Sequence, residues 1–231
     1  MNKIIKIVLL FFSVITIVTS CTKDGHIVGG NTHPNTKVDM TTFDYLNGNS
    51  RGLFDTLMLI LDAAGLKDMV NQKDVTFFAP TDYAIHDYLA YRTKQEQVID
   101  PARVWSLDSL LKYDLSRFQD SMSVYFVDKP ITLDELTNDG AIYNTMHEND
   151  KSVVSYEEAT PNDPWYNPTV SEQARTVHYT YLYEDLELPF VASEITSDQG
   201  ARTLVQTAGI QTNTGMLYVL NNYHTLFFRK D

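Results

Sequence analysis

Apolar positions along the chain fall into runs of different period. Ile4 to Val18 is apolar apart from Lys6, Ser13 and Thr16. That run is short for a membrane span and suits the core of a signal peptide, over residues 1–20. Gly25–Lys37 is rich in Gly, Asn, Thr and His, with Pro34, and has no sustained apolar period. It reads as part of a flexible tether over residues 21–39. From Met40 the period becomes helical, through Phe43, Leu46, Leu53, Leu57, Ile60 and Leu61. The spacing predicts a helix over about 52–64 with Gly65 as its stop, then a further helical turn over Leu66–Val70. Val75–Phe78 is a short β-prone run, and Pro80 ends it because proline cannot donate to a sheet ladder. Thr81 or Asp82 is placed to cap the next helix, which carries Tyr83, Ile85, Tyr88 and Leu89. A further helix is expected over Val104–Leu115, its apolar face made by Trp105, Leu107, Leu110, Leu111 and Leu115. Later segments read as strands. Val177, Tyr179, Tyr181 and Tyr183 alternate with His178, Thr180 and Leu182, while Arg202–Gln206, Met216–Leu220 and Leu226–Phe228 are short β-prone runs. Helices early and strands late predict an α+β (mixed α/β) fold in a single domain over residues 40–231.

Composition adds the choice of partner. The chain is 43% hydrophobic and 21% charged, an ordinary globular balance. Its formal net charge is -12, and the basic start holding Lys3 and Lys6 contains no acid, so the mature chain is more acidic still. Such a surface repels phosphate backbones, which argues against nucleic acid as a partner.

Catalytic cues are missing. Cys21 is the sole cysteine, so no intrachain disulfide can form. The chain has no Gly-x-Ser-x-Gly elbow, Gly-rich phosphate loop or Cys/His zinc spacing. Acidic pairs stand at Asp134/Glu135, Glu157/Glu158 and Glu184/Asp185, but adjacency does not make two carboxylates face each other as glycoside hydrolysis requires. Asp134, Glu135 and Asp139 lack EF-hand spacing, and His26, His33, His86, His147, His178 and His224 are scattered. The sequence therefore predicts no catalytic residues, no metal and no cofactor. Thr160–Thr169 reads TPNDPWYNPT, with three prolines around Trp165 and Tyr166. Prolines lower the ordering cost of a loop. Exposed rings on it can stack on sugars or anchor a protein, with Asn162, Asp163 and Asn167 bonding hydroxyls; buried rings would instead pin the loop to the domain body. The tyrosine row 179/181/183 is open to the same two readings, a binding face or a packed sheet face.

Two resemblances organise these observations. Val18, Thr19, Ser20 and Cys21 resemble the lipobox of bacterial lipoproteins, which implies cleavage before Cys21 and its acylation. Two or three acyl chains give lasting attachment. Thr22 is unlike an inner-membrane retention signal, and Lys23–Asp24 resembles a surface-export signal, so an outward-facing outer-membrane location is expected. The segment TFFAPTDYAI, from Thr76 to Ile85, resembles the first signature of fasciclin domains, and Phe54–Leu66 resembles their opening helix. Leu110–Tyr113 resembles their central Leu-Leu-x-Tyr-His segment, with Asp114 in place of the histidine. Thr212–Phe228 resembles their closing signature, with Tyr218 at a histidine position. The resemblance implies helices packed on a twisted β-sheet wedge. The chain is longer than that family's usual domain, so an enlarged central insertion is expected at about 144–194. The implied function is non-catalytic adhesion or binding of a glycan, matrix or surface protein. The alternatives are an accessory subunit of an outer-membrane glycan-uptake complex and, more remotely, a hydrolase.

Overall fold

The computed structural model describes residues 36–228, so the signal peptide, Cys21, His26 and His33 lie outside the described residues. The first helices are α1 (Thr42–Asn47), α2 (Asp55–Ala63) and the single turn α3 (Lys67–Val70). Gly65 follows α2 with φ +67°, the left-handed conformation that ends a helix cheaply only at glycine. Strand β1 (Thr36–Lys37) lies within the span read as tether, and it pairs parallel to β7 (Gly200–Gln211). Strand β2 (Val75–Ala79) is buried along its whole length and leads into α4 (Asp82–Gln97).

The β2–α4 junction is wired differently from the sequence expectation. Thr81 occupies the cap position of α4, but its hydroxyl donates to Asn222 Oδ1 at 3.2 Å and does not cap that helix. Asp82 instead accepts from the backbone N–H groups of Thr56 (2.8 Å) and Leu57 (2.9 Å), capping α2 from a distance. These are two of the orphan donors that open every helix. The Thr-Asp pair therefore ties together three segments far apart in sequence.

The next helical stretch runs from α5 (Leu107–Ser109) through a π-helical turn (Leu110–Asp114) into α6 (Leu115–Ser121). Of the expected face, Leu110 is fully buried while Trp105, Leu107, Leu111 and Leu115 are only half-buried; the buried stripe is Leu110, Asp114, Phe118 and, just beyond the helix, Met122. A π turn rotates the helix beyond it relative to the helix before it, and here the shift brings Asp114 inward. Its carboxylate accepts from the Tyr88 hydroxyl (3.1 Å) and lies 3.7 Å from Arg92 Nε. Burial, then the Asp114 charge, push the Tyr88 pKa up to about 12.

The remaining strands are β3 (Phe126–Val127), β4 (Ala141–Asn144), β5 (Lys151–Glu158), β6 (Arg175–Leu182) and β8 (Gly215–Leu220). With β1 attached to β7, the sheet order is β3-β2-β8-β7-β6-β5-β4. Neighbours are antiparallel except at β2–β8 and β1–β7. Register shifts between β7 and β8 bend the sheet, and Thr145 bridges Val127, so its two ends meet in a nearly closed wedge. Gly215 has no room for a side chain, because a Cβ there would sit 2.2 Å from the Val75 carbonyl oxygen on the paired strand. Residues 144–194 contribute β5 and β6 to this sheet.

The main core lies between the helices and one sheet face. Phe77 stacks on Phe126 at 4.2 Å between centroids, and Phe78 meets Tyr179 and Tyr218 at 4.4 and 5.0 Å. Tyr218 is fully buried and donates to the Ile131 carbonyl at 2.8 Å. A smaller cluster covers the other face, where Val153, Leu182 and Ala192 pack with Ile142, Phe190 and Ile195. Among the described residues no helix is long and apolar enough to cross a membrane.

Candidate functional site

The candidate site forms where β7 outruns its neighbour. The last pairing of β8 with β7 joins Leu220 to Val205, and Asn221 N–H still reaches the Leu204 carbonyl (2.9 Å). Gly200–Thr203 then continues past the end of β8, and Tyr223–Phe228 folds back beside it. A cleft of about 570 Å³ opens between them, with Tyr183, Tyr223, Phe228, Arg202, Ser197 and Thr225 on its walls.

The expected last strand over Leu226–Phe228 is a turn, with Phe227 at φ 61° and Phe228 at φ 50°. Left-handed backbone at two bulky residues is costly, and it persists only where the surroundings hold it. Here they do. The Phe228 ring stacks on Tyr181 (5.0 Å, 11°) and lies within 5.6 Å of Tyr179, 5.3 Å of Tyr125 and 4.8 Å of His224. The Phe228 carbonyl accepts from the Tyr183 hydroxyl at 3.0 Å. The tyrosine row is thus a packed row: Tyr179 is fully buried, while Tyr181 and Tyr183 are half-buried.

His224 forms the floor of the cleft. The Tyr125 oxygen accepts from Phe227 N–H at 2.7 Å, which leaves the phenol proton to be donated to His224 Nε2, also 2.7 Å away. The ring is then the Nδ1–H tautomer, donating to Thr203 Oγ1 at 3.2 Å. Complete burial lowers the His224 pKa to about 3, so it is neutral and has no free nitrogen. A histidine in that state holds structure and is no general base near neutral pH.

Behind the cleft, on the opposite sheet face, lies a second polar cluster. Glu157 is buried; it accepts from Ser155 Oγ and from Arg202, both at 2.5 Å, and lies 3.6 Å from His178 Nδ1. Desolvation, then the Arg202 charge, lower the His178 pKa to about 4. Ser155 is fully buried and its hydroxyl serves Glu157, so this set is not a nucleophile with a base. The acidic pairs do not converge either. Glu157 and Glu158 are neighbours on a strand and face opposite ways, Glu158 is exposed, and Asp185 pairs with Lys151 at 2.6 Å. No three His, Cys, Asp or Glu among the described residues are grouped to hold a metal ion.

The four residues singled out in the insertion sit on a loop that closes on itself. Ala159 N–H meets the Ala174 carbonyl at its neck (2.7 Å). Asp163 accepts from the Thr160 N–H (2.7 Å) and hydroxyl (2.8 Å), and these bonds hold its carboxyl below the usual range, with smaller help from His178 and Arg202. Asn167 Oδ1 accepts from the Thr169 N–H and hydroxyl, so that oxygen is already engaged. Asn162 is exposed, Trp165 is 37% exposed and Tyr166 is half-buried. The structure brings these four residues together on one loop and places none of them on the wall of the cleft. Sequence reasoning missed Tyr223, Arg202, Ser197 and Thr225. The available signal was Tyr223 itself, a large aromatic just after the apolar run of β8 ends, and in the structure it is 93% exposed.

Among curated proteins none matches this chain. Among solved structures it is similar to a FAS1 domain pair from the insect cell adhesion molecule Fasciclin I, with a TM-score of 0.41 and 13% identity. That match covers 78% of this chain and 46% of the other, so this chain spans less than half of that protein's length. The family model described as Fasciclin domain matches residues 52–223, from the approach to α2 to the exposed tyrosine of the cleft. On that match over about three quarters of its length, the chain belongs to the fasciclin domain family.

Proposed function

We propose that this protein is a non-catalytic adhesion or binding module of the cell surface, held to the outer membrane through lipidated Cys21. The observation that carries this reading is the open cleft beside Tyr223, in a domain whose family is one of cell adhesion. Its walls combine aromatic faces with hydroxyls, a surface for holding a ligand, and its one histidine is neutral with both nitrogens engaged. The insertion loop, with Trp165, Tyr166, Asn162 and Asn167, supplies a second, shallower contact for a glycan, matrix or protein ligand.

The test uses cells that carry the full chain, scored for adhesion to immobilised matrix proteins and glycans. Parent cells should adhere, and cells carrying Tyr223→Ala should lose most of that adhesion at equal surface level. Equal adhesion by the two strains, or none by either, overturns the reading. Cys21→Ala should move the protein from the membrane fraction to the soluble fraction; unchanged membrane retention would remove the lipid anchor from the proposal.

A further inference from the structure

The cleft follows an edge of the sheet, and its walls come from both sheet faces. Ile195 belongs to the cluster that covers one face, while His224 and Phe228 pack on the other. The Arg202 side chain lies on the first face, where it meets Glu157, so what Arg202 presents to the cleft is main chain. The ladder identifies the groups. In an antiparallel pair, residues that exchange hydrogen bonds alternate with residues whose N–H and C=O turn the other way. Tyr183 N–H donates to the Gln199 carbonyl at 2.8 Å, so by register Ala201 and Thr203 also bond toward β6. Gly200, Arg202 and Leu204 therefore turn toward the β8 side, where the Leu204 carbonyl accepts from Asn221 N–H. Beyond Asn221 the chain leaves the sheet. Gly200 N–H goes to the Thr196 carbonyl at 3.1 Å, but the Gly200 carbonyl and the Arg202 N–H and carbonyl have no hydrogen-bond partner among the described residues.

Unpaired main chain along a strand edge is a template for another strand. The other end of β7 already shows such an addition, where β1 pairs with Ile210 and Gln211. No proline or lysine stands within Gly200–Thr203 to block the edge. A sugar offers hydroxyls, but only a polypeptide repeats a donor and an acceptor at the spacing of a strand. Resting on the binding reading above, we infer that the cleft takes an extended peptide segment of a partner protein, added to β7 where β8 stops. The peptide residue opposite Arg202 exchanges both main-chain bonds with it. The residue opposite Gly200 donates its N–H to the Gly200 carbonyl. The side chain between them, opposite Ala201, turns to the face of Phe228, and an apolar residue there covers part of the Tyr223 ring, which is 93% exposed.

The probe is a phage-displayed random heptapeptide library selected on the full chain, with enriched peptides then titrated calorimetrically. Enriched sequences should hold β-branched or aromatic residues and no proline at their centre. An N-methyl scan of one such peptide should find two amides, two residues apart, whose loss each weakens binding about tenfold or more, with the amide between them tolerant. Arg202→Pro should bind about tenfold more weakly than Arg202→Ala, since both lack the guanidinium and only the proline lacks the N–H. If Arg202→Pro does not fold, amide hydrogen exchange in the parent decides. The Arg202 amide should exchange faster than those of Ala201 and Thr203, and slow when the peptide is added. The inference is overturned if no peptide is enriched, if the N-methyl scan lacks that alternation, or if the peptide leaves exchange at Arg202 unchanged. No peptide binding together with Tyr223-dependent cell adhesion would sink the inference alone; absence of both would sink the binding reading as well.

Discussion

Two aromatic segments of this domain look alike in sequence and behave differently in the fold. Asn221–Phe228 reads NNYHTLFF, and Asn162–Thr169 reads NDPWYNPT. In the first, backbone and side chains are tied to the sheet: Phe227 N–H to Tyr125, the Phe228 carbonyl to Tyr183, His224 to Thr203. Its phenylalanine rings therefore join the core. In the second, the polar groups bond within the loop, Thr160 to Asp163 and Asn167 to Gln173 and Thr169. Its tryptophan stays at the surface. The difference lies in where the polar groups find partners, since a ring is buried only when the backbone carrying it is held against an apolar face.

Breaking the first segment should have the larger effect. Phe228→Ala removes a 3% exposed ring that meets four others, and should cost about 3–5 kcal/mol in urea unfolding. A loss under about 1 kcal/mol would mean that the segment is not part of the core. Acid sharpens the comparison, because each region has its own histidine: His224 in the closing segment and His178 on β6, close enough to the proline-rich loop to act on Asp163. Both are held neutral, at pKa values of about 3 and about 4, below the ordinary 6.5 that they regain on unfolding. The unfolded chain therefore binds these protons first. Stability from both is complete above about pH 6.5 and falls as the pH drops toward 4, by roughly 3 kcal/mol for each histidine. In His178→Gln and His224→Gln, the slope of stability against pH over that window should shrink in each; an unchanged slope in both would refute the assignment. The smallest effect is expected from Trp165→Ala with Tyr166→Ala, within about 0.5 kcal/mol of the parent. A cost above about 2 kcal/mol would show that those rings anchor the loop to the domain body.

Local signals in the sequence located the helices α2 to α5 and the strands β2, β6, β7 and β8, but not α1, β1, β3, β4 or β5. The helical spacing around Leu57 and Ile60, the Gly65 stop and the apolar run into Pro80 all correspond to observed structure. Long-range polar wiring was not legible. Asp82 looks like a cap for the helix it begins, and nothing local says that its carboxylate serves Thr56 and Leu57. The stripe Leu107, Leu111, Leu115 has sound helical spacing, but a π turn displaced it, and Asp114 gave no hint that it faces Tyr88. The loop Thr160–Thr169 was visible through its prolines. The cleft was not, because it depends on β7 outrunning β8 and on a reversal at Phe227 that reads as strand.

Strand β2 carries a consequence for biogenesis. It sits between β3 and β8, and its parallel partner β8 is the last strand of the domain. A chain synthesised from its amino end exposes the apolar edge Val75–Ala79 until Gly215–Leu220 has been made too. Pairings this distant in sequence form slowly, and an unpaired apolar edge is the species that self-associates. The same parallel pairing that joins the two ends of the domain thus makes its last strand the gate to productive folding, and makes truncation before Gly215 an aggregation defect more than a loss of stability.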